Sequence, residues 1–375
     1  MMDYSFREKL YIWLSSVFET GANSAHKLVE IYGGIESLYD AVLSGNAVLP
    51  SHIRSERREK LKRLAPMAQI DGIISELESY GVRAITYASG EYPNELRAIY
   101  DPPLVLYARG TGRLDSIRLP FAIIGSRHCT EYGERMAKLF GKTLADHGMT
   151  IVSGLAYGCD ALASEGALMS SNAFPTVAVL GQGVMIEKHD STSKTMDAIL
   201  ERGLVISEML PKSRAFKGSY PLRNRIISGI SRGLLIVEAG ERSGTMITAN
   251  AAMEQGRMLF ALPGRITDRM SAGTNMMIKL GAAQAVYDTT DILDYFGISA
   301  IESPIREASE RNAEAAKTLD GECRRVYDML LKGSRSFDTL CELSGISAEN
   351  LNLYLTELEL SGLIIQLPGR VYSAD

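Results

Sequence analysis

Apolar positions change their period twice along this chain. Over the first 75 residues they fall at helical spacing: Trp13, Leu14 and Val17, then Leu28, Ile31 and Tyr32, then Ile35, Leu38 and Val42. Such spacing gives each short helix one apolar face. Gly21, the pair Gly33-Gly34 and Gly45 punctuate the helices, as glycine does where a helix must stop. A small helical domain over 1–75, of a SAM or helix-hairpin-helix-like kind, is predicted. From about residue 82 the period shortens. Brief β-branched runs at 121–124, 150–152, 176–180, 204–207, 234–237, 258–262 and 285–287 alternate with amphipathic stretches at 132–147, 160–169, 194–202, 222–231, 244–255 and 274–280. This alternation predicts an α/β domain over 76–298, a doubly wound, mostly parallel, Rossmann-like sheet with helices on both faces. Residues 299–320 are polar and aperiodic and are expected to form a linker. Over 321–375 the order is helix (326–331), turn, helix (337–344), Gly345, helix (347–360) and a glycine-bounded hairpin (363–372). That is the order of a winged helix.

Composition narrows the class without naming a function. A chain of 375 residues, 46% apolar and 23% charged, is ordinary for a globular protein of two or three domains. No apolar run approaches the roughly 18 residues of a membrane span. Asp3, Arg7, Glu8 and Lys9 occupy the place where a signal peptide needs an apolar stretch, so no membrane partner and a cytoplasmic location are expected. Cys129, Cys159, Cys323 and Cys341 show no CxxC spacing, which argues for a reducing compartment and against a structural metal.

The net charge of −5 argues against nucleic acid only if charge is spread evenly. Residues 1–110 carry −2, 111–320 are neutral and 321–375 carry −3. Within the neutral middle, 211–232 holds Lys212, Arg214, Lys217, Arg223, Arg225 and Arg232 with no Asp or Glu. Six uninterrupted positive charges make a local field that the average hides. The run from Arg54 to Arg63 is diluted by Glu56 and Glu59 and reads as a solvated helix face.

In an open parallel sheet the ligand site lies at the carboxyl ends of the strands, and there the glycines cluster. Gly125-Ser126-Arg127 follows the first core strand, Ser153-Gly154 the second, Gly181-Gln182-Gly183 the third, Ser243-Gly244-Thr245 the fifth and Pro263-Gly264 the sixth. One such turn is ordinary loop chemistry. Five at one edge, beside an acid-free basic stretch, favour a phosphate-containing ligand. Neither GxGxxG nor GxxxxGK[ST] is present, so no NAD, P-loop nucleotide or other cofactor is expected. The five histidines form no HExxH pair, and GxSxG is absent. His128 reads as a surface residue, and Glu238 as either a catalytic carboxylate or a helix cap. No catalytic residue is assigned.

Several segments resemble the DNA-processing protein A (DprA/Smf) family: GSRHCTEYG at 125–133, SGLAYGCDALASEGAL at 153–168, YPLRNRIISGISRG at 220–233 and SGTMITANAAMEQGR at 243–257. YPNELRAIYDPPLVLYARG at 92–110 and LPGRITDRMSAGTNMMIKLGA at 262–282 join them, collinear over about 90–290. The resemblance implies a cytosolic, non-enzymatic protein that binds and protects single-stranded DNA. It also implies loading of the RecA recombinase during natural transformation and dimerisation through the late part of the sheet domain, where Met276, Met277 and Ile278 are apolar. The family's arginine falls on Arg127, its lysine on Lys217 and its aromatic on Tyr220, followed by Arg223, Asn224 and Arg225. Lysine and arginine neutralise phosphates, and an aromatic ring stacks any base; Tyr220 could alternatively pack beneath its loop. The expected single-strand track is Arg127, Lys217, Arg223 and Arg225, with Tyr220, Asn224 and the amides of Gly125, Ser126, Arg127, Ser153, Gly154, Ser243, Gly244 and Thr245. Tyr157, Cys159 and Ser164 depart from the family's usual Arg, Ile and His, and Val184 to His189 depart from its usual run.

Two rivals differ in class. A nucleotide-cleaving phosphoribohydrolase of the lysine-decarboxylase-like group shares this sort of sheet, but Thr248 stands where its catalytic glutamate would be. A duplex-reading regulator would use the helix at 347–360, which carries Glu349, Glu357 and Glu359 and no basic residue. Asn350 and Asn352 could read adenine, yet the phosphates would repel that helix, so this module is expected to bind protein or nothing.

Overall fold

Five helices open the chain: α1 (Phe6–Phe18), α2 (Asn23–Ile31), α3 (Ile35–Leu43), α4 (Ser55–Leu64) and α5 (Met67–Ser79). Ser5 and Glu8 close a capping box at the start of α1, which satisfies amides that the first turn leaves free. Residues 10–18 of α1 are all buried, Ser15 and Ser16 included, so this stretch has no face toward water and must be wrapped by neighbours. The other helices cover part of it; Trp13 is fully buried and its indole donates to the Leu61 carbonyl at 3.2 Å. The sheet covers the rest. Ser15 hydrogen-bonds the Tyr107 hydroxyl at 2.8 Å, and one apolar core runs from Trp13 and Tyr39 to Tyr107, Leu155 and Val205.

The computed structural model describes every residue except 1–2, 21, 52, 188–190, 299–315, 318, 320, 368 and 375. It divides into two units, Met1–Ile298 and Ser299–Asp375. The boundary expected at 75/76 therefore separates no compact bodies, because the helices and the sheet share their core. Most of the linker expected over 299–320 lies outside the described residues.

Nine strands form the sheet of the first unit: β1 (Arg83–Thr86), β2 (Val105–Gly110), β3 (Pro120–Ile124), β4 (Thr150–Ser153), β5 (Thr176–Val179), β6 (Leu204–Ser207), β7 (Gly233–Ile236), β8 (Met258–Ala261) and β9 (Gln284–Ala285). Their order is β1-β2-β6-β5-β4-β3-β7-β8-β9. From β6 to β9 every pairing is parallel, while β2 runs antiparallel to both β1 and β6. Strands β3 to β7 are buried at every position. A strand covered on both faces has no polar face to show, which is why these segments read as continuous apolar runs. Strands β1 and β2 were not anticipated, although β2 carries its own buried apolar run from Val105 to Ala108.

A short helix, α6 (Asn94–Arg97), precedes β2; the crossovers are α7 (Glu131–Asp146), α8 (Cys159–Leu168), α9 (Ser193–Arg202), α10 (Ser219–Ile230), α11 (Gly244–Glu254) and α12 (Ala272–Lys279), with α13 (Thr289–Tyr295) last. The chain winds outward from β3 to β6, then returns to lay β7 against the other side of β3. The strand order reverses there, so the loops after β3 and β7 splay apart and open a crevice.

The second unit contains α14 (Gly321–Leu330), β10 (Arg335–Ser336), α15 (Phe337–Ser344), α16 (Ala348–Leu360), β11 (Ile364–Leu367) and β12 (Val371–Ala374). Its sheet order is β10-β12-β11, and Val326, Leu340, Leu351, Leu355 and Leu363 fill its core. This is the winged helix expected from the sequence. Among the described residues no helix is long and apolar enough to cross a membrane, and no cluster of metal-ligating side chains occurs.

Candidate functional site

The crevice between the β3 and β7 loops holds a cavity of about 420 Å³ lined by Ser126, Arg127, Tyr220, Asn224, Thr245 and Thr248, among others. Its floor is built from buried polar groups. The Asp160 carboxylate accepts from the Gly125 amide at 3.3 Å and the Gly154 amide at 3.1 Å, so one side chain in the first turn of α8 ties two strand-end loops together. Burial pushes the Asp160 carboxyl above its ordinary range, opposed chiefly by the charge of Arg223. Arg223 donates to the Gly154 carbonyl at 2.6 Å and to the Val179 carbonyl, and is 6% exposed.

These contacts correct part of the expected track. Arg223 lines the cavity, but its guanidinium is spent on two carbonyls, and the Gly154 amide is spent on Asp160. Ser153 is buried and its hydroxyl donates to the Ile123 carbonyl at 2.7 Å. Asn224 lines the cavity while its Oδ1 accepts from Arg223 Nε at 3.2 Å. Arg225 is held by Glu208 at 2.7 Å and Asp101 at 3.3 Å, in a nearly buried cluster. Burial lifts the Glu208 carboxyl to about 7 even against this arginine. The reason is helical geometry: in α10 successive residues point in different directions, so three polar neighbours in sequence cannot all face one strand of ligand.

Other expected residues do reach the opening. Arg127 is exposed, with its guanidinium 5.5 Å from the centroid of the Tyr220 ring. Tyr220 is 42% exposed and belongs to the first turn of α10, which begins at Ser219 rather than at 222. It is neither in a loop nor in the core. Lys217 is also exposed, just before α10, but does not line the cavity. Among the described residues the amides of Ser126, Arg127, Gly244 and Thr245 have no protein acceptor, and the buried Ser243 hydroxyl has no partner. Gly244 and Thr245 lie in the first turn of α11, where unpaired amides and the helix dipole favour an anion. Thr245 Oγ1 donates to the Gly125 carbonyl at 3.0 Å, joining the two sides of the crevice.

One glycine is indispensable here. Gly158 has φ +86°, and a Cβ on it would lie 2.4 Å from the Ser126 carbonyl oxygen and 2.7 Å from that of Arg127. The β3 loop rests directly on its backbone.

Glu238 is the helix-capping alternative in a particular form. Its buried carboxylate accepts from the Thr130 amide at 2.8 Å and hydroxyl at 2.6 Å, which holds the N-cap of α7. Sequence reasoning missed Asp160, whose only signal was an acid in the first turn after a glycine-rich loop. It also passed over Phe216, exposed beside Lys217. Of the apolar trio in α12, Met277 is core and only Met276 is substantially exposed.

Comparison with known proteins places these features in context. A family model described as DNA recombination-mediator protein A matches residues 83–297, and one described as the DprA winged helix domain matches 310–370. Protein Smf of Escherichia coli K12 is 35% identical over 310 residues, covering 81% of this chain and 80% of its own. DNA processing protein DprA of Bacillus subtilis 168 is 34% identical over 222 residues, covering 59% and 74%. The solved structure of DNA processing protein A from Streptococcus pneumoniae superposes with a TM-score of 0.64 at 28% identity, over 80% of this chain and all of the other. That from Helicobacter pylori, solved for its single-stranded DNA binding mode, gives a TM-score of 0.52 at 29% identity, over 57% and 95%.

Proposed function

The chain belongs to the DNA-processing protein A (DprA/Smf) family, and from that premise we propose that it binds single-stranded DNA at the carboxyl edge of its sheet. The observation that carries this reading is the pairing of an exposed cation with an exposed ring, Arg127 over Tyr220, at the mouth of a crevice whose far wall offers free amides. A base and a phosphate are the two chemistries that such a mouth accepts. Arg127 and Lys217 neutralise phosphates, the amides of Ser126, Arg127, Gly244 and Thr245 cradle one, and Tyr220 stacks a base of any identity. Ser153, Gly154, Arg223, Asn224 and Arg225 act as the frame that holds these groups in place.

The site binds and does not catalyse. Asp160 and Glu238, the carboxylates built into the strand-end loops, are both consumed by backbone amides, which supports this reading. In the cell the protein works in the cytoplasm as a homodimer, protects single strands and hands them to the RecA recombinase. These steps follow from the family's implied role.

The test is a mobility-shift titration with labelled oligo-dT and a matched duplex, wild type beside the double variant Arg127→Ala, Lys217→Ala. Single-strand preference that vanishes in the double variant supports the assignment. Equal affinity for both DNA forms, or a double variant that binds like wild type, refutes it.

A further inference from the structure

A loop beside the crevice carries charge that the site described above does not use. It follows β8 and runs from Leu262 to Ser271, where α12 begins. Both of its ends are fixed. The Asn275 side chain accepts from the Gly264 amide at 3.2 Å and donates to the Gly264 carbonyl at 3.0 Å. At the other end the Met270 carbonyl accepts from the Ala239 amide at 2.7 Å. Between these anchors Arg265, Ile266 and Arg269 stand exposed, Ile266 at 96%. The loop abuts the crevice: the Ser126 hydroxyl donates to Met270 Sδ at 3.5 Å, and a Cβ on Gly240 would lie 3.7 Å from the Arg269 carbonyl oxygen. Gly240 opens the segment that carries exposed Arg242 into α11. Arg242, Arg265 and Arg269 therefore flank the crevice on its β8 side. Among the described residues none of the three forms an ion pair or a side-chain hydrogen bond. Two acids share the surface: Asp268, whose carboxylate accepts from the Met270 amide at 2.9 Å, and exposed Glu241. The free cations outnumber them.

We propose that single-stranded DNA leaves the crevice across this loop, with Arg242, Arg265 and Arg269 neutralising phosphates beyond the one held at Arg127 and Ile266 packing against a base. The proposal rests on the function proposed above and extends the contacted strand from the loops after β3 and β7 to the loop after β8. Strand β8 lies two strands from β3, about 10 Å away, so the surface is within reach of the next nucleotides. A strand seated in the crevice either turns away into water or crosses here. Crossing is favoured, because each phosphate that an arginine neutralises releases counterions. An isolated exposed isoleucine is ordinary. Ile266, however, sits between free arginines on a loop anchored at both ends, so it cannot fold inward, and aliphatic side chains wedge between neighbouring bases.

The test compares a short oligo-dT of about four nucleotides, enough to fill the crevice, with a long one of about twenty. Binding is followed by fluorescence anisotropy over a range of salt, using the full-length protein. Wild type stands beside the double variant Arg265→Ala, Arg269→Ala and the single variants Ile266→Ser and Glu241→Gln. The double variant should bind the long strand about tenfold more weakly, with a salt slope smaller by about 1.4, at about 0.7 per single-strand phosphate. It should bind the short strand like wild type and keep the wild-type urea midpoint. Ile266→Ser should weaken the long strand about threefold with the salt slope unchanged, and Glu241→Gln should tighten it. A double variant that matches wild type at both lengths, or that loses both equally, overturns the proposal. So does an Ile266→Ser protein that keeps its long-strand affinity but changes its oligomeric state, which would make the loop an interface between copies of this chain. Wild type that binds neither length refutes the function proposed above, whereas intact short-strand binding with no long-strand loss in the variants refutes only this extension.

Discussion

Arg223→Ala separates a frame residue from a ligand residue. The side chain is 6% exposed, donates to two backbone carbonyls and faces the buried Asp160. Truncation orphans the carbonyls of Gly154 and Val179 and leaves Asp160 with only the amides of Gly125 and Gly154. Each orphaned buried carbonyl costs about 1–3 kcal/mol, and the buried Asp160 carboxyl also loses the nearby positive charge that opposes its burial. Water entering the vacated space and protonation of Asp160 offset part of this, so the expected loss is about 3–5 kcal/mol in all. Arg127→Ala makes the contrast. That side chain is exposed, with only the ring of Tyr220 beneath it, and its removal should change stability by less than about 0.5 kcal/mol. The assay is equilibrium urea unfolding followed by the fluorescence of Trp13, the sole tryptophan, which sits in the core shared by helices and sheet. Salt-dependent binding of oligo-dT is measured alongside. Arg223→Ala should lower the midpoint sharply; Arg127→Ala should keep it and lose affinity. An Arg223→Ala protein with the wild-type midpoint and a salt slope reduced by about 1 would make Arg223 a phosphate ligand and refute the frame argument.

Lys217→Ala should weaken oligo-dT and mixed-sequence strands alike and lower the salt slope by about 1; a sequence-dependent loss contradicts a phosphate role. Tyr220→Ala should cost about 1–3 kcal/mol of binding while Tyr220→Phe retains it, and equal losses in both would rule out stacking. Gly158→Ala forces a side chain into a glycine-only backbone and against two carbonyls; it should cost about 1–3 kcal/mol in stability and displace Arg127, read as lost oligo-dT affinity. Glu208 gives a pH test. Burial raises it from 4.5 to about 7, so between those values the folded chain keeps a proton that the unfolded chain has released. Its contribution is complete below about 4.5 and is lost as pH rises toward 7. Urea midpoints for Glu208→Gln should therefore fall less from pH 5 to pH 7 than those of wild type, and parallel curves would exclude the effect.

Much of this molecule is legible one residue at a time. A strand buried on both faces has no face to give to water, so β3 to β8 announced themselves as short, mostly apolar runs, and the glycine turns between them marked the edge where the cavity lies. The winged helix followed from helix spacing and a left-handed Gly345. What stayed hidden depends on partners distant along the chain. Strand β2 joins the sheet by pairing antiparallel with a segment about a hundred residues later, and β1 adds beyond it. The N-terminal helices merge with the sheet because α1 is buried on every side from Leu10 to Phe18. Arg223, Asn224 and Arg225 look equivalent in the sequence, each a polar residue in one basic stretch. Only the packing of α10 decides that Arg223 is held by the carbonyls of Gly154 and Val179, that Asn224 lines the cavity beside it and that Arg225 is locked to Glu208. A charge is counted from the sequence, but whether it is free to meet a ligand is set by what folding places within 3 Å of it.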